Sequence, residues 1–258
     1  MCLINFQFDG HPKYKLILAA NRDEFYLRPT ETAHFWKDHP TLLAGRDLMQ
    51  MGTWLGVTTS GRIAALTNFR DPSVPDADKI SRGAIVRNFL SSDIAPREFL
   101  ENLVPVDYAG FNLLAGDANQ LFYYNNIDAK AEEVEPGIHG LSNHFLDTPW
   151  PKVVKGAMYL ERYLSDNQEI RIEDLFAFLQ DADQADEGEH DPGERSGESD
   201  DCEDGQRCGR HDRGGWQLRL DGDGVQRWPQ RCGQRDGQRR CSGRHDLRRH
   251  QRFADRDQ

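Results

Sequence analysis

The residue best equipped for covalent chemistry is Cys2, at the very start of the chain. Removal of Met1 would leave a thiol and a free α-amine on one residue. An amine with a pKa of roughly 7.7–8.0 can take the proton of a thiol whose own pKa is about 8.5, so the residue carries its own base. A second cluster, Asn21-Arg22-Asp23-Glu24, follows the most apolar stretch of the chain. In extended backbone Asn21 and Asp23 share one face and Arg22 and Glu24 the other, which sets a carboxylate beside an amide. The plainer alternative for these four is a solvated turn with a local ion pair. Asn68 and Asn143 each close an apolar stretch; an Asn there forms turns, and it can also donate an amide N–H to an oxyanion. His34, His39, His139 and His144 are scattered without metal-ligand spacing. Cys202, Cys208, Cys232 and Cys241 are spaced more loosely than ordinary zinc ligands, so neither a metal nor a cofactor is expected.

The elements that must position these residues read as a mixed α+β domain. Leu3 to Phe8 alternates apolar and polar as a half-buried strand does, Asp9-Gly10 signals a turn, and Tyr14 to Ala20 is a second, more deeply buried strand. A hairpin between them brings residues 21–24 back beside Cys2. Further short strands are predicted at Trp54 to Thr58, Arg62 to Asn68, Phe111 to Ala115 and Leu121 to Tyr124. Helices are predicted at Ser81 to Leu90, Pro96 to Leu103, Pro151 to Leu164 and Ile172 to Leu179. Hairpins followed by paired helices point to helices layered on antiparallel sheets, not to a doubly wound parallel sheet. There is no internal repeat and no glycine-rich phosphate loop.

Composition limits the function. At 258 residues the chain has room for one large domain, and a net charge of -11 argues against a sequence-independent grip on nucleic acid. No apolar run approaches the roughly 18–20 residues of a transmembrane helix, and the chain start lacks a secretory signal, so a cytoplasmic protein with a small-molecule or protein partner is expected. Oligomeric state is not readable. The vocabulary changes after Gln180: the last Thr, Lys, Tyr and Ile are Thr148, Lys155, Tyr163 and Ile172. Residues 181–258 are mostly Asp, Glu, Arg, Gly and Gln, too polar to offset the entropy of ordering. The expected organisation is therefore a folded domain over 1–180 and a disordered low-complexity tail over 181–258. The abrupt loss of residue classes also fits a frame-shifted translation of the tail.

Four blocks, MCLI, LAANRDEF, MGTWLGVTTSGRIAALTNFR and GLSNHFLDTPWPK, in this order, resemble the transport and Golgi organization 2 family, also called the NRDE family. That family is similar in turn to the N-terminal nucleophile cysteine hydrolases. The resemblance implies an αββα sandwich with the terminal Cys at a sheet edge. It implies Cys2 as nucleophile, Asp23 as the carboxylate that orients amine and thiol, and Asn68 and Asn143 as the two oxyanion amides. Two departures stand out. Arg22 sits directly before Asp23, where the hydrolases place an arginine three residues before the carboxylate. No counterpart of their late arginine segment follows Gln180, so C-terminal strands are expected to be missing or replaced by the tail. Two functions remain open: a cysteine amidohydrolase acting on a linear amide, and a non-catalytic binding or trafficking protein for acyl-coenzyme A, lipid or haem that uses Asn21 to Glu24 as its ligand site.

Overall fold

The computed structural model describes residues 2–25, 27–70, 79–167, 169–180, 211–221 and 224–225. Its strands are β1 (Leu3–Phe8), β2 (Tyr14–Phe25), β3 (Thr30–Phe35), β4 (Leu42–Asp47), β5 (Leu55–Thr58), β6 (Ile63–Asn68), β7 (Phe111–Gly116), β8 (Leu121–Asn125), β9 (Lys130–Glu133), β10 (Gly137–Leu141), β11 (His211–Asp221) and β12 (Gly224–Val225). Its helices are α1 (Gly83–Leu90), α2 (Pro96–Glu101), α3 (Pro151–Asp166) and α4 (Ile172–Leu179). The strands form two antiparallel sheets, one in the order β10-β1-β2-β11-β12 and the other in the order β3-β4-β5-β6-β7-β8-β9.

Alternation along the strands builds the layers. Ile4, Phe6 and Phe8 of β1 and Leu16, Leu18 and Ala20 of β2 face Leu43, Leu55, Val57, Ile63, Ala65, Leu114 and Tyr123 of the second sheet, forming the core between the sheets. The outer face of the second sheet, through Leu42, Ala64, Leu66, Leu113 and Ala115, packs on Ile85, Val86 and Phe89 of α1 and Leu100 of α2. The outer face of the first sheet, through Tyr14 and Ile17, packs on Leu160 and Tyr163 of α3 and Leu175 of α4. Helix, sheet, sheet, helix is the αββα sandwich expected above.

All ten sequence-read elements before Gln180 are present, most with shifted ends. The second strand runs to Phe25, five residues past its apolar stretch, because β1 on one side and β11 on the other supply ladder partners along it. Strands β3, β4, β9 and β10 were not read from the sequence. β3 and β9 are exposed edge strands with little apolar alternation, and β10, GIHGL, carries two glycines. The expected disordered tail lies mostly outside the described residues. Within it, however, the backbone of His211–Asp221 forms a strand along β2, with positions 216, 218 and 220 opposite Ala20, Leu18 and Leu16. These are Trp, Leu and Leu in strict alternation, a strand signal that the composition of 181–258 as a whole conceals.

The end of the sandwich near Cys2 is closed by a buried polar network. Thr67 Oγ1 donates to the Ser142 carbonyl at 2.6 Å, and Asn112 Nδ2 donates to the Thr67 hydroxyl and to the Ser142 and His144 carbonyls. The Tyr123 hydroxyl donates to Asn112 Oδ1 at 2.8 Å. Burial pushes the Tyr123 phenol up to about 12, so it stays a neutral donor. This network pins the segment after β10, in the first sheet, to β6 and β7 in the second.

Candidate functional site

β1 and β2 are paired so that Leu3 lies opposite Asn21, a register that brings Cys2 level with Arg22. Even-numbered positions of β1, and of β2 from Leu16 onward, face the second sheet, so Cys2, Arg22 and Glu24 continue the inner face beyond the apolar core. All three line a cleft of about 500 Å³ whose remaining wall includes Arg28, Arg46, Asp47, Thr53, Asn68, Lys79 and Arg82. Cys2 is a free, partly buried thiol. Its backbone is tied down by Ser142, whose hydroxyl donates to the Cys2 carbonyl at 2.7 Å. The network that closes the sandwich thereby also fixes Cys2.

Burial pushes the Cys2 thiol above its ordinary value; Arg22 and Lys152 oppose that rise, and Glu24 adds to it. Arg22 donates to Glu24 at 2.7 Å, and Arg28 bonds Asp47 through Nε at 3.1 Å and Nη2 at 2.6 Å. The shared face of Arg22 and Glu24 expected from alternation is thus present.

The other members of the NRDE stretch are placed differently. Asn21 points to the helical layer, where its Nδ2 donates to the Leu179 carbonyl at 2.9 Å. That carbonyl belongs to the last turn of α4, which has no intrahelical partner to offer it, so Asn21 acts as a helix tie and not as part of the cleft. Position 23 lies in β2 on the same side of the pleat as position 21; its side chain lies outside the described residues. The carboxylate that the described structure brings beside Cys2 is Glu24.

Asn68, at the end of β6, is exposed and lines the cleft. Asn143 is buried beside it, with its Nδ2 donating to the Asn68 carbonyl at 3.1 Å. The two asparagines are neighbours as expected, but one amide N–H of Asn143 is committed to the backbone. Sequence reasoning missed Ser142, Thr67 and Asn112, because hydroxyls and an amide inside or just beyond apolar strands carry no local sign of a partner. No group of three or more His, Cys, Asp or Glu able to hold a metal occurs among the described residues, and no described helix is long and apolar enough to cross a membrane.

The sequence compares with known proteins along most of its length. The profile of the family Transport and Golgi organisation 2 matches residues 1–202. The transport and Golgi organization protein 2 homolog of Homo sapiens is 38% identical over 196 residues, 70% of this chain and 71% of that protein. The Drosophila melanogaster protein of the same name is 31% identical over 200 residues, 69% of this chain and 70% of that one. The Mus musculus homolog is 40% identical over 171 residues, and the match spans 62% of its length. Among solved structures, a Caenorhabditis elegans N-acylethanolamine-hydrolyzing acid amidase ortholog superposes with a TM-score of 0.45 at 7% identity, over 70% of this chain and 86% of that one. On the extent of the profile match and the identity to these relatives, the chain belongs to the transport and Golgi organisation 2 family.

Proposed function

We propose that the Cys2 cleft is an amidohydrolase site of the N-terminal nucleophile kind, acting on a linear amide. The observation that carries the reading is the convergence of Cys2, Glu24 and Asn68, from three different strands or strand ends, on one cleft. With Met1 removed, the α-amine of Cys2 takes the thiol proton and the sulfur bonds to the amide carbon. The oxyanion rests on the Asn68 side chain, with the free N–H of Asn143 as the second donor. The C–N bond then breaks as the leaving amine takes the proton back. Water attacks the thioester, the S–C bond breaks, and the carboxylic acid leaves. Glu24 fills the role that the family resemblance suggested for Asp23, because Glu24 shares the cleft with the thiol.

The second reading is non-catalytic binding of acyl-coenzyme A, lipid or haem. The basic lining favours it, since Arg22, Arg28, Arg46, Lys79 and Arg82 outnumber Glu24, Glu31 and Asp47 and suit a ligand bearing phosphate or carboxylate. A cytoplasmic placement is part of both proposals.

Intact-mass measurement of the full chain comes first, and a retained Met1 ends the catalytic reading. If Met1 is absent, incubation with a panel of N-acyl amides is expected to release amine in the wild type and none in Cys2→Ala. If no amide turns over while acyl-coenzyme A or haem binds, and that binding weakens about tenfold or more in an Arg22→Ala/Glu24→Ala variant, the binding reading takes its place.

A further inference from the structure

Gln7 is 3% exposed, yet neither polar atom of its amide has a hydrogen-bond partner among the described residues. A buried amide left unpaired is costly, so a partner is called for. The side chain stands on the outer face of β1, turned away from the inner face that carries Cys2. There it borders a cavity of about 260 Å³ between the β1–β2 turn, the start of β10 and the later turns of α3. Pro12, Ile138 and Leu164 give this cavity apolar walls, and His11, Glu161 and Ser165 bring polar groups to it. Two lining glycines keep it open. A Cβ on Gly10 would lie 2.5 Å from Gln7 Nε2, which puts that nitrogen at the Gly10 wall; a Cβ on Gly137, at φ 149°, would meet nothing closer than His139 Nε2 at 3.8 Å.

The hydrogen-bonding capacity left in the cavity has a definite sense. The Lys13 and Tyr14 N–H groups donate to His11 Nδ1 at 3.2 and 3.3 Å, so the proton of the neutral ring is on Nε2, a donor. Ser165 Oγ donates to the Glu161 carbonyl at 2.9 Å and keeps its lone pairs as acceptors. Gln7 offers N–H donors and a carbonyl acceptor side by side. Among the described residues no Lys or Arg lines the cavity, and Lys13, next to Pro12, is paired with Glu169 at 3.1 Å. An anionic ligand would therefore meet the Glu161 carboxylate and no free cation.

We infer that this cavity is a second small-molecule site, taking an uncharged planar amide whose donor–acceptor edge pairs with the Gln7 amide while its hydrocarbon part lies against Pro12, Ile138 and Leu164. A primary amide matches Gln7 because each group presents one donor and one acceptor in a plane. Just below the roughly 300–1,000 Å³ of drug-sized pockets, the cavity suits a single ring and not a nucleotide. The inference is independent of whether Cys2 reacts.

The test is saturation-transfer NMR of the full chain with benzamide, benzoate and N,N-dimethylbenzamide. Benzamide is expected to bind with a Kd of about 1 mM, on the order usual for a ligand of so few atoms, and the other two at least about tenfold more weakly, since one is anionic and one lacks N–H donors. Gln7→Leu, which keeps the bulk and removes the amide, is expected to weaken benzamide binding about tenfold or more. Ser165→Trp, which plugs the cavity from an exposed position of α3, is expected to do the same without touching the core. Cys2→Ala is expected to bind benzamide as wild type. A wild type that binds no benzamide up to about 10 mM overturns the inference and leaves water as the partner of Gln7. Benzoate binding as tightly as benzamide, or a folded Gln7→Leu or Ser165→Trp that binds as wild type, overturns it too. So does loss of binding in Cys2→Ala, which would place the amide in the Cys2 cleft.

Discussion

Opposing demands meet at Cys2. Burial and Glu24 raise its thiol pKa, whereas Arg22 and Lys152 lower it. Removing the Glu24 charge therefore makes the thiol easier to ionise, and Glu24→Gln is expected to shift the pH profile of Cys2 alkylation downward. Amide turnover, if Glu24 orients the reacting groups, is expected to fall about a hundredfold in the same variant, within the range typical of a lost acid–base partner. A rise in turnover that follows the thiol pKa would show that ionisation alone limits the site and would leave Glu24 no orienting role. Ser142 acts one step back, through the Cys2 carbonyl. Ser142→Ala is expected to destabilise the protein by about 1–2 kcal/mol, because a buried hydrogen bond is lost, and denaturant titration measures it. The candidacy of Cys2 for the reactive residue was legible from its place beside the α-amine. That Glu24 faces it, and that Asn21 turns away, required the strand to stay extended to Phe25, and nothing polar in the local sequence announces a strand.

At the scale of single elements, β10 and α3 make the sharpest predictions. Both ring nitrogens of His139 face acceptors, Asp147 Oδ2 at 2.7 Å and the Glu135 carbonyl at 2.9 Å, so only the doubly protonated ring can donate to both. Its pKa is raised, chiefly by the Asp147 hydrogen bond. A raised pKa means the folded state binds the proton more tightly than the unfolded one. The stabilisation is therefore complete below the unfolded value of about 6.5 and is lost as the pH climbs through the higher folded value. His139→Asn is expected to cost about 1 kcal/mol at pH 6 and less at pH 8.5, with Asp147 half exposed and screened; melting curves at the two pH values check it. In α3, Gly156 lets the helix settle on Asn5, since a Cβ there would sit 2.4 Å from either amide atom of that fully buried side chain. Gly156→Ala is expected to cost about 1–3 kcal/mol by overpacking, and less in an Asn5→Ala background, where the added methyl finds room. Equal costs in both backgrounds would show that the helix, not the contact, objects. The helix was legible from its spacing. The glycine's purpose was not, because its partner lies far away in sequence, on β1.

For the molecule as a whole, the largest prediction concerns β11. It covers one side of β2 along eleven register pairs, from His211 opposite Phe25 to Asp221 opposite Tyr14. A chain ended at Gln180 would leave β2 as a long, flat edge strand, a template for pairing with other chains. That truncation is expected to lower the melting temperature and to raise light scattering on warming; a truncated chain that melts like the full one, without aggregating, would show that β11 adds nothing to the sandwich. The sequence alone determined the polarity pattern, hence which faces of β1, β2, α3 and α4 are buried, and with it the α+β class, the family and the candidate status of Cys2. Burial preferences are local, repeated every two or about four residues, and a single chain displays them. Tertiary structure alone decided which described carboxylate shares the cleft with the thiol, and which side chains lock the closed end of the sandwich. Those arrangements join residues tens of positions apart, and their register is set by pairings between strands that no local stretch of sequence encodes.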